Sequence, residues 1–392
     1  MADTSRFKIL TLNNIATVGL DQLPREQYEV ASEIGHPDGI ILRSFKMHDM
    51  DIPETVKAVA RAGAGVNNIP LDRMTALGVP VFNAPGANAN AVKELVIAGM
   101  LLASRNIPQA WNYTRGLEGN ADIHTAVEQG KKQYVGFELP GRTLGVIGLG
   151  AIGVKVANTA EELGMKVLGF DPQITVERAW ELSASVGEAL SLDDLCARSN
   201  FLTVHVPLVD ATRGIINAER IRLMPRGSVI MNFARDGIVD EDAVLAALDD
   251  GQLHAYVTDF PDERLIKHEK VIALPHLGAS TLEAEENCAV MVANNLREFL
   301  ENGNIRHSVN FPTVKMPRTE GGFRLAVANA NVPNMVGQIT TALAEAGLNI
   351  IDLLNKSRGD VAYTLVDVDK AVPSETLERI SSIEGVLNVR AL

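Results

Sequence analysis

Three glycines and an aspartate in this sequence have the spacing of a phosphate-binding loop. The stretch GRTLGVIGLGAIGVKVANTAEELGMKVLGFDP, residues 141 to 172, contains Gly148, Gly150 and Gly153, with Asp171 eighteen residues beyond the last glycine. The motif follows an apolar strand and opens a helix, the context expected of dinucleotide binding rather than plain packing. We predict that Gly148 forms a tight turn, that Gly150 lets the backbone approach a pyrophosphate, and that Gly153 packs the helix on the strand.

The same stretch predicts which dinucleotide is bound. The helix that begins at Ala151 and Ile152 offers free N–H groups and the positive end of its dipole to the phosphates. Asp171 is placed to accept hydrogen bonds from the adenosine ribose hydroxyls, and its charge would repel an added 2′-phosphate. The pattern therefore favours NAD over NADP.

Three polar residues further along follow apolar strands and could act on a substrate. Arg235 lies in NFARDG, Glu263 in DFPDE and His276 in LPHLGAS. Each alone is also explained as a solvated surface residue. Ligands of open α/β sheets bind at the carboxyl ends of the strands. Oxidation of an alcohol by hydride transfer needs a base, a partner that orients the base and a cation for the developing negative charge. Together, His276, Glu263 and Arg235 match these needs.

The elements that position these residues form two α/β series and a terminal module. Strands FKILTL, GIILRS, VKAVARAG and VPVFNAP alternate with helices in the first series, and a second regular alternation begins at Arg142. Such alternation predicts doubly wound parallel sheets. Residues 310–322, NFPTVKMPRTEGG, have the composition of a linker. The last part has the order βαββαβ of a ferredoxin-like domain. We predict domains at 1–100 with 285–312, at 101–284 and at 322–392.

Composition limits the classes of partner. The chain has 392 residues, a net charge of −13 and 46% hydrophobic residues, which fits a folded multidomain protein and argues against nucleic-acid or anionic-membrane binding. Cys196 and Cys288 form no CxxC pair, so a reducing cytoplasm is expected, and we predict no metal site. The N-terminus lacks the pattern of a signal peptide, and the apolar stretch LVIAGMLLA is too short to span a membrane.

The motifs together resemble a known family. GLGAIG, VHVPLVDATRGII, MNFARDGIVDEDAV and PHLGAST, in this order, are similar to the D-isomer-specific 2-hydroxyacid dehydrogenases, and the C-terminal part resembles an ACT domain. The resemblance implies a Rossmann-type NAD domain inserted into a flavodoxin-like substrate domain, followed by the ferredoxin-like ACT domain. It implies that the helical segment after residue 281 returns to the first domain.

The resemblance also assigns roles to residues. His276 would be the acid/base, Glu263 would hold its imidazole, and Arg235 would bind the substrate carboxylate and carbonyl. Further positions that match the cofactor cleft are Pro207, Thr212, Ala234 and Asp259. Compared with the family, VTDFPDE has its aspartate immediately before the phenylalanine, so Thr258 is the alternative to Asp259 as the contact of the nicotinamide carboxamide.

Substrate and effector residues follow from the same resemblance. ARAGAGVNNI is similar to the family's substrate loop, so Gly63, Ala64 and Gly65 would offer N–H groups to a carboxylate. Arg43, Arg61 and Lys93 are candidates for a substrate phosphate, although a solvated charged face is the commoner explanation. In the ACT-like module, the effector positions are matched by Asn329, Asn331 and Asn349, and serine would be the effector. Asn334 stands where the family commonly has glycine, and turn formation equally explains these asparagines.

The function expected from this resemblance is NAD-dependent oxidation of 3-phosphoglycerate to 3-phosphohydroxypyruvate, the first step of serine biosynthesis. The alternative enzyme is a glyoxylate or hydroxypyruvate reductase, or another 2-hydroxyacid dehydrogenase, and the sensor-like module favours the first reaction. A scaffold or corepressor that binds the nucleotide without chemistry is a third hypothesis, which the joint presence of Arg235, Glu263 and His276 disfavours. A homodimer or homotetramer is expected.

Overall fold

The computed structural model describes residues 6–392, and the chain divides into two compact units. Unit 1 comprises Met1–Asn88 with Glu285–Leu392, and unit 2 comprises Ala89–Ala284. The predicted break near residue 100 therefore falls inside unit 2, because the helix expected there begins this unit. The C-terminal module, predicted as a domain of its own, falls in unit 1.

The first half of unit 1 is a five-stranded parallel sheet. Its strands and helices are β1 (Phe7–Leu12), α1 (Thr17–Leu20), β2 (Tyr28–Ala31), β3 (Gly39–Leu42), β4 (Ala58–Arg61), α2 (Leu71–Ala76) and β5 (Val81–Phe82). The strand order is β2-β1-β3-β4-β5, the order of flavodoxin-like sheets. The flavodoxin-like prediction is confirmed, although the sequence did not indicate β2.

Unit 2 is a doubly wound domain with a seven-stranded parallel sheet. Its elements are α3 (Ala89–Ser104), α4 (Ile107–Arg115), α5 (Ile123–Gly130), a 3₁₀ helix (Lys131–Tyr134), β6 (Thr143–Ile147), α6 (Ala151–Glu162), β7 (Lys166–Phe170), α7 (Val176–Glu181), β8 (Gly187–Glu188), α8 (Leu192–Arg198), β9 (Phe201–Val204), α9 (Ala218–Leu223), β10 (Ser228–Asn232), α10 (Glu241–Asp249), β11 (Leu253–Thr258), α11 (Glu263–Lys267) and β12 (Val271–Ala273).

The strand order in unit 2 fixes where a ligand can bind. The sheet runs β12-β11-β10-β9-β6-β7-β8, so the chain reverses direction across the sheet between β6 and β9. Every residue of β9 and β10 is buried, because apolar side chains cover both faces. The carboxyl end of β6 therefore opens at the topological switch point, where such sheets bind their ligands.

The C-terminal part of unit 1 has the predicted ferredoxin-like order. The elements are α12 (Leu282–Asn302), β13 (Phe323–Ala330), α13 (Met335–Glu345), β14 (Ile350–Arg358), β15 (Val361–Val368), α14 (Ser374–Ser381) and β16 (Val386–Ala391). The last four strands pair antiparallel in the order β14-β15-β13-β16. The two helices α13 and α14 cover one face of this sheet through Ile339, Leu343 and Ile380.

The segment at 310–322, which the sequence predicts to be a linker, is packed into the core of unit 1. Phe311 and Val314 are fully buried and Met316 is 3% exposed. These side chains join one continuous core with Tyr363 and Leu365 of the terminal sheet. The prolines and charges that suggested a linker lie between apolar side chains. Burial of these apolar side chains releases more free energy than the segment loses in conformational entropy when it is ordered.

Arg324 fastens the terminal sheet to this segment. The side chain is fully buried and donates to both carboxylate oxygens of Asp367 at 2.7 and 2.8 Å, and to the carbonyls of Met316 and Pro317 at 2.8 and 2.7 Å. Burial raises the pKa of the Asp367 carboxyl, but the bonds from Arg324 and from Thr319 outweigh it and leave the pKa below its usual value. The module is thus attached through buried polar bonds as well as apolar packing.

Candidate functional site

The predicted catalytic residues follow the ends of three neighbouring strands of unit 2. Strands β10, β11 and β12 are adjacent and parallel, with Asn232 paired to Thr258 and Thr258 paired to Ala273. Arg235 follows the first strand, Glu263 the second and His276 the third. The common direction brings all three segments to the carboxyl edge of the sheet.

Arg235 projects from a loop that a buried amide shapes. The Nδ2 of Asn232 donates to the Arg235 carbonyl at 2.9 Å, and its Oδ1 accepts the N–H of Ala234 at 3.1 Å. Asn232 is 2% exposed, whereas Arg235 is exposed and uses one donor on the Ala234 carbonyl. A guanidinium carries five N–H donors, so the remaining ones can bind a carboxylate. The sequence analysis missed Asn232, whose signal is an amide at the end of an otherwise apolar strand.

Glu263 pairs with a lysine in this structure. It is the first residue of α11, and its Oε1 lies 2.6 Å from the Nζ of Lys267, one turn along the helix. Its side chain is 83% exposed. Within the described residues, neither a hydrogen bond nor an ion pair joins Glu263 to His276. The predicted carboxylate–imidazole contact is therefore not formed in this conformation.

His276 has an unusual backbone conformation. Its φ is +53°, in the left-handed region that non-glycine residues rarely adopt. Its exposed imidazole faces the Phe260 ring, with 4.8 Å between ring centroids. Such a conformation persists only where the surroundings hold it. The conformation of His276 therefore depends on the contacts that hold its loop.

Thr258 and Asp259, the two candidates for the nicotinamide contact, both have partners in the protein. Thr258 is fully buried and its Oγ1 accepts the Phe260 N–H at 3.0 Å. Asp259 is 2% exposed, and its carboxylate accepts the N–H groups of Leu277 and Gly278. The structure thus directs the Asp259 side chain to the loop that carries His276.

The glycine motif has the steric properties of a phosphate-binding loop. Gly148 has φ +87°, and a Cβ there would lie 2.6 Å from the His205 carbonyl oxygen. A Cβ at Gly153 would lie 1.9 Å from the Gly148 carbonyl oxygen. Gly150 has φ −75°, and apart from its two chain neighbours no heavy atom of the described residues lies within 4 Å of a Cβ built there. Two of the glycines are needed by the protein fold, whereas Gly150 leaves open space directly before Ala151 and Ile152 at the start of α6.

Asp171 lies at the end of β7 beside this loop. Its Oδ2 accepts the Leu149 N–H at 2.8 Å and its Oδ1 accepts the Gln173 N–H at 2.9 Å. Each carboxylate oxygen can accept a second hydrogen bond. The aspartate therefore both shapes the glycine loop and keeps acceptor sites for hydroxyl groups. These features fit NAD.

The other predicted cofactor positions lie after β9 and β10. Thr212 donates to the Pro207 carbonyl at 2.6 Å and accepts the Val209 N–H at 2.9 Å, which closes a compact turn. Ala234 follows β10. His205, at the end of β9, bonds Thr203 at 3.0 Å, and burial lowers its pKa to about 3. The low pKa makes the His205 imidazole a weak base that is neutral at physiological pH.

The predicted substrate residues come together in unit 1. Arg43 follows β3 and Arg61 ends the adjacent β4, and the Arg61 Nε donates to the Arg43 carbonyl at 3.0 Å. The Arg43 guanidinium pairs with Glu285 at 2.6 Å. A Cβ at Gly63 would lie 2.2 Å from the Arg61 Nη1, so glycine is what lets this guanidinium cross the loop. Ala64 and Gly65 continue the loop, and Lys93 lies in unit 2.

A cluster of carboxylates was missed by the sequence analysis. Burial, then the charges of Asp262 and Asp236, raise the pKa of Glu241 to about 7, with Arg264 opposing. Arg264 donates to Asp262 at 2.7 Å and also to Asp242 on α10. These residues flank Arg235 and Glu263 in sequence, so Arg264 ties the loop before Glu263 to the helix after Arg235. The runs VDEDA and PDER were the available signal.

The asparagines of the terminal module differ in exposure. Asn329 is 1% exposed; its Nδ2 donates to the Ala330 carbonyl at 2.7 Å, and its buried Oδ1 has no partner in the part of the chain that the structure describes. Asn331 donates to the Gly359 carbonyl at 2.9 Å, and the exposed Asn349 bonds Asp369 through its N–H. Asn334 has φ +69°, a conformation that suits glycine and that asparagine tolerates best among other residues.

Comparison with known proteins defines the class. The family model of the D-isomer-specific 2-hydroxyacid dehydrogenase NAD-binding domain matches residues 97–278. The D-3-phosphoglycerate dehydrogenase of Haemophilus influenzae is 34% identical over 100% of this chain and 98% of its own length. The D-3-phosphoglycerate dehydrogenase of Escherichia coli K12 is 32% identical over 94% of this chain and 90% of its own length. The chain belongs to the D-isomer-specific 2-hydroxyacid dehydrogenase family.

Solved structures agree with this assignment. An NAD⁺-bound 3-phosphoglycerate dehydrogenase of Entamoeba histolytica superposes with a TM-score of 0.61 at 27% identity, covering 78% of this chain and 99% of that one. Apo D-mandelate dehydrogenase of Rhodotorula graminis shares the fold. It superposes with a TM-score of 0.67 at 24% identity, covering 80% of this chain and 100% of that one. The resemblance to D-3-phosphoglycerate dehydrogenase is confirmed, and the chain is an NAD-dependent dehydrogenase.

Two kinds of feature, a membrane-spanning helix and a metal-binding cluster, are absent from the described residues. None of their helices has the length and apolar character required to cross a membrane. Within residues 6–392, no three His, Cys, Asp or Glu side chains are grouped so that they could hold a metal ion.

Proposed function

We propose that this protein oxidises 3-phosphoglycerate to 3-phosphohydroxypyruvate with NAD, the first step of serine biosynthesis. The observation that carries the proposal is the meeting of three segments, bearing Arg235, Glu263 and His276, at the carboxyl edge of strands β10 to β12. The relatives matched over nearly the whole chain are D-3-phosphoglycerate dehydrogenases, which supports this substrate over other 2-hydroxy acids.

The cofactor is held by the glycine loop and Asp171. The N–H groups at the start of α6 face the open space at Gly150 and bind the pyrophosphate. Asp171 binds the ribose hydroxyls and disfavours a 2′-phosphate by charge repulsion. Pro207, Thr212 and Ala234 line the same cleft. When bound, NAD supplies the hydride acceptor.

His276 removes the proton from the substrate hydroxyl. Glu263 orients the imidazole and stabilises its charged form, as a carboxylate partner does for a general base. For this role Glu263 leaves Lys267. The pair is exposed and lies one helical turn apart, so it is worth only about 0.3–0.5 kcal/mol. A hydrogen bond from the imidazolium to the carboxylate is worth about 1.5–3 kcal/mol, which exceeds that amount and favours the exchange of partners.

Arg235 binds the substrate carboxylate and the oxygen that becomes the carbonyl. Its planar guanidinium can form two parallel hydrogen bonds to a carboxylate, which fixes the orientation of the reacting carbon. Asn232 holds the backbone of this loop by two hydrogen bonds, so Arg235 has a defined origin although its side chain is exposed. The fixed loop lowers the cost of ordering the side chain on binding.

Within unit 1, we propose that the segments after β3 and β4 bind substrate groups. The N–H groups around Gly63, Ala64 and Gly65 bind the carboxylate, and Arg43 and Arg61 bind the phosphate. Arg61 is held across Gly63 and against the Arg43 carbonyl, so its guanidinium is ordered. Arg43 must exchange Glu285 for phosphate. Their side chains are 40% and 39% exposed, which makes this pair weak.

Serine is proposed as the effector of a homodimer or homotetramer. The terminal module pairs with its copy through an edge strand, and Asn329, Asn331 and Asn349 receive the amino acid at this junction. The unpartnered Oδ1 of Asn329 supports the proposal, since a buried acceptor without a donor is rare. Calorimetry at millimolar serine tests it, and absence of binding would remove the sensor role.

A substrate comparison with the purified protein tests the reaction. We expect NADH oxidation with 3-phosphohydroxypyruvate at a kcat/KM at least about 100-fold above that with glyoxylate, because only the first carries the phosphate. His276→Ala should lower kcat by about 10²–10⁴-fold with NADH affinity unchanged. Preference for glyoxylate would instead support the glyoxylate/hydroxypyruvate reductase alternative, and no turnover with either substrate would support a scaffold.

A further inference from the structure

Asp259 is a buried carboxylate without a cationic partner. It directly follows strand β11, is 2% exposed, and its own N–H donates to the Asn232 carbonyl at 3.1 Å. Among the described residues, no lysine, arginine or histidine forms an ion pair with it. Burial of a carboxylate is costly unless hydrogen bonds compensate, so the groups that satisfy Asp259 indicate what it is for.

Those groups belong to one segment, the loop of residues 276–278. The Leu277 N–H donates to the Asp259 Oδ1 at 3.0 Å and the Gly278 N–H donates to Oδ2 at 2.7 Å. The His276 N–H donates to the Asp259 backbone carbonyl at 3.2 Å. Three consecutive N–H groups of the loop thus donate hydrogen bonds to the same residue, Asp259.

The loop conformation depends on these bonds. His276 sits at φ +53°, which costs of order 1–3 kcal/mol for a residue other than glycine unless the surroundings hold it. A carboxylate that accepts backbone N–H groups forms charge-assisted bonds, which are about twice as strong as neutral ones. A Cβ at Gly278 would lie 3.2 Å from the Asp259 Oδ2, so the absence of a side chain there permits the close approach.

We infer that Asp259 is a positioning residue for the reaction, acting through His276 rather than on the cofactor. The carboxylate fixes the backbone of residues 276–278, which sets the origin of the catalytic imidazole against the Phe260 ring. The inference rests on the proposed role of His276. It also explains the shift of this aspartate by one position relative to the family pattern, because residue 259 faces the loop while residue 258 contacts the Phe260 N–H.

Asp259→Asn is the first test, because asparagine keeps the shape but not the acceptors. One amide oxygen can accept one N–H, whereas the Nδ2 would face the other N–H and repel it. We expect kcat with the 2-oxo acid that the wild type reduces to fall about 10–100-fold, with the NADH Kd from fluorescence titration within about twofold. The part of the kcat-against-pH curve that depends on ionisation of His276 should shift along the pH axis or become less steep.

A double-mutant cycle separates this role from a general structural one. If Asp259 acts only through His276, adding Asp259→Asn to His276→Ala should leave the residual kcat nearly unchanged. An equal further loss in both backgrounds would overturn the inference. A rise of tenfold or more in the NADH Kd with unchanged kcat would assign Asp259 to the nicotinamide and would also overturn it.

Two more variants guard against a folding effect. Ser199→Ala removes another fully buried hydrogen bond of unit 2, 2.6 Å to the Leu195 carbonyl, and should lower Tm with kinetics unchanged. Gly278→Ala places a methyl group against Asp259 and should lower kcat in the same direction as Asp259→Asn, by several-fold. If Gly278→Ala leaves kcat and the pH profile unaltered, the inference fails. A wild type that turns over no 2-oxo acid would refute the proposed function itself.

Discussion

Replacing Gly150 by alanine should improve folding while removing the cofactor. The φ and ψ of Gly150, −75° and −164°, are open to any L-residue, and a Cβ there meets no heavy atom within 4 Å. Alanine at a compatible position stabilises by about 0.4–1 kcal/mol, because it restricts the unfolded chain. For a domain of this size, we expect a rise in Tm of roughly 1–4 °C.

The same methyl group occupies the space that the pyrophosphate needs. The phosphates are then held away from the N–H groups at the start of α6. Loss of two charge-assisted hydrogen bonds, about 1.5–3 kcal/mol each, gives about 3–6 kcal/mol in total. At about 1.4 kcal/mol per tenfold change, the NADH Kd should rise at least about 100-fold. Fluorescence titration gives the Kd and calorimetry gives the Tm of the same preparation.

Two other glycines serve as controls. Gly35→Ala adds a methyl group that also meets nothing within 4 Å, so it should raise Tm without changing NADH affinity. Gly153→Ala places a Cβ 1.9 Å from a backbone oxygen and should lower both Tm and NADH affinity. If Gly150→Ala binds NADH as tightly as the wild type, the loop does not hold the pyrophosphate and our account of the motif is refuted.

Four further outcomes are expected. Arg235→Lys should raise the substrate KM at least tenfold, since an ammonium cannot form the bidentate contact; wild-type KM would contradict this. Asp171→Ser should lower the ratio of kcat/KM with NAD to kcat/KM with NADP in steady-state kinetics. An unchanged ratio would exclude Asp171 as the residue that binds the adenosine ribose. The pKa of Glu241 is raised to about 7 in the folded state, so its contribution to stability falls as pH rises from about 4.5 to 7. Glu241→Gln should therefore be more stable than wild type at pH 8, with a free energy of unfolding in urea that is higher by about 1–2 kcal/mol. At pH 4 the two free energies should be equal. Truncation after Phe311 should give an aggregating protein in light scattering, because it uncovers a shared core; a soluble, active fragment would contradict this.

The placement of three candidate residues of unit 2 at one edge of the sheet was predictable because it depends on local patterns. Apolar runs marked β10, β11 and β12, and parallel strands place their following residues at one edge, so Arg235, Glu263 and His276 needed no tertiary detail. The geometry of the glycine loop was likewise predictable from the spacing of its glycines alone. Gly148 and Gly153 are required by clashes with backbone atoms that lie within or beside the motif.

Contacts that depend on side-chain direction could not be predicted. The sequence offered Thr258 and Asp259 as alternatives, and only the structure shows that the second points at the N–H groups of residues 277 and 278. The pairing of Glu263 with Lys267 is a choice between neighbouring partners that the sequence does not decide. Asn232 was overlooked because its role is to bond its own loop.

The segment at 310–322 shows where composition misleads, and it constrains how an effector can act. One face of the terminal sheet packs against Phe311 and Val314, and Tyr363 donates to the Gly303 carbonyl at 2.8 Å beside the end of α12. Arg324 adds buried bonds to the same segment. A ligand bound at the asparagines therefore cannot act by swinging a tethered domain, because unit 1 has no free tether. Its binding energy would have to change strand and core packing that continue into the five-stranded sheet of unit 1, and close-packed cores transmit such changes as shifts between discrete arrangements.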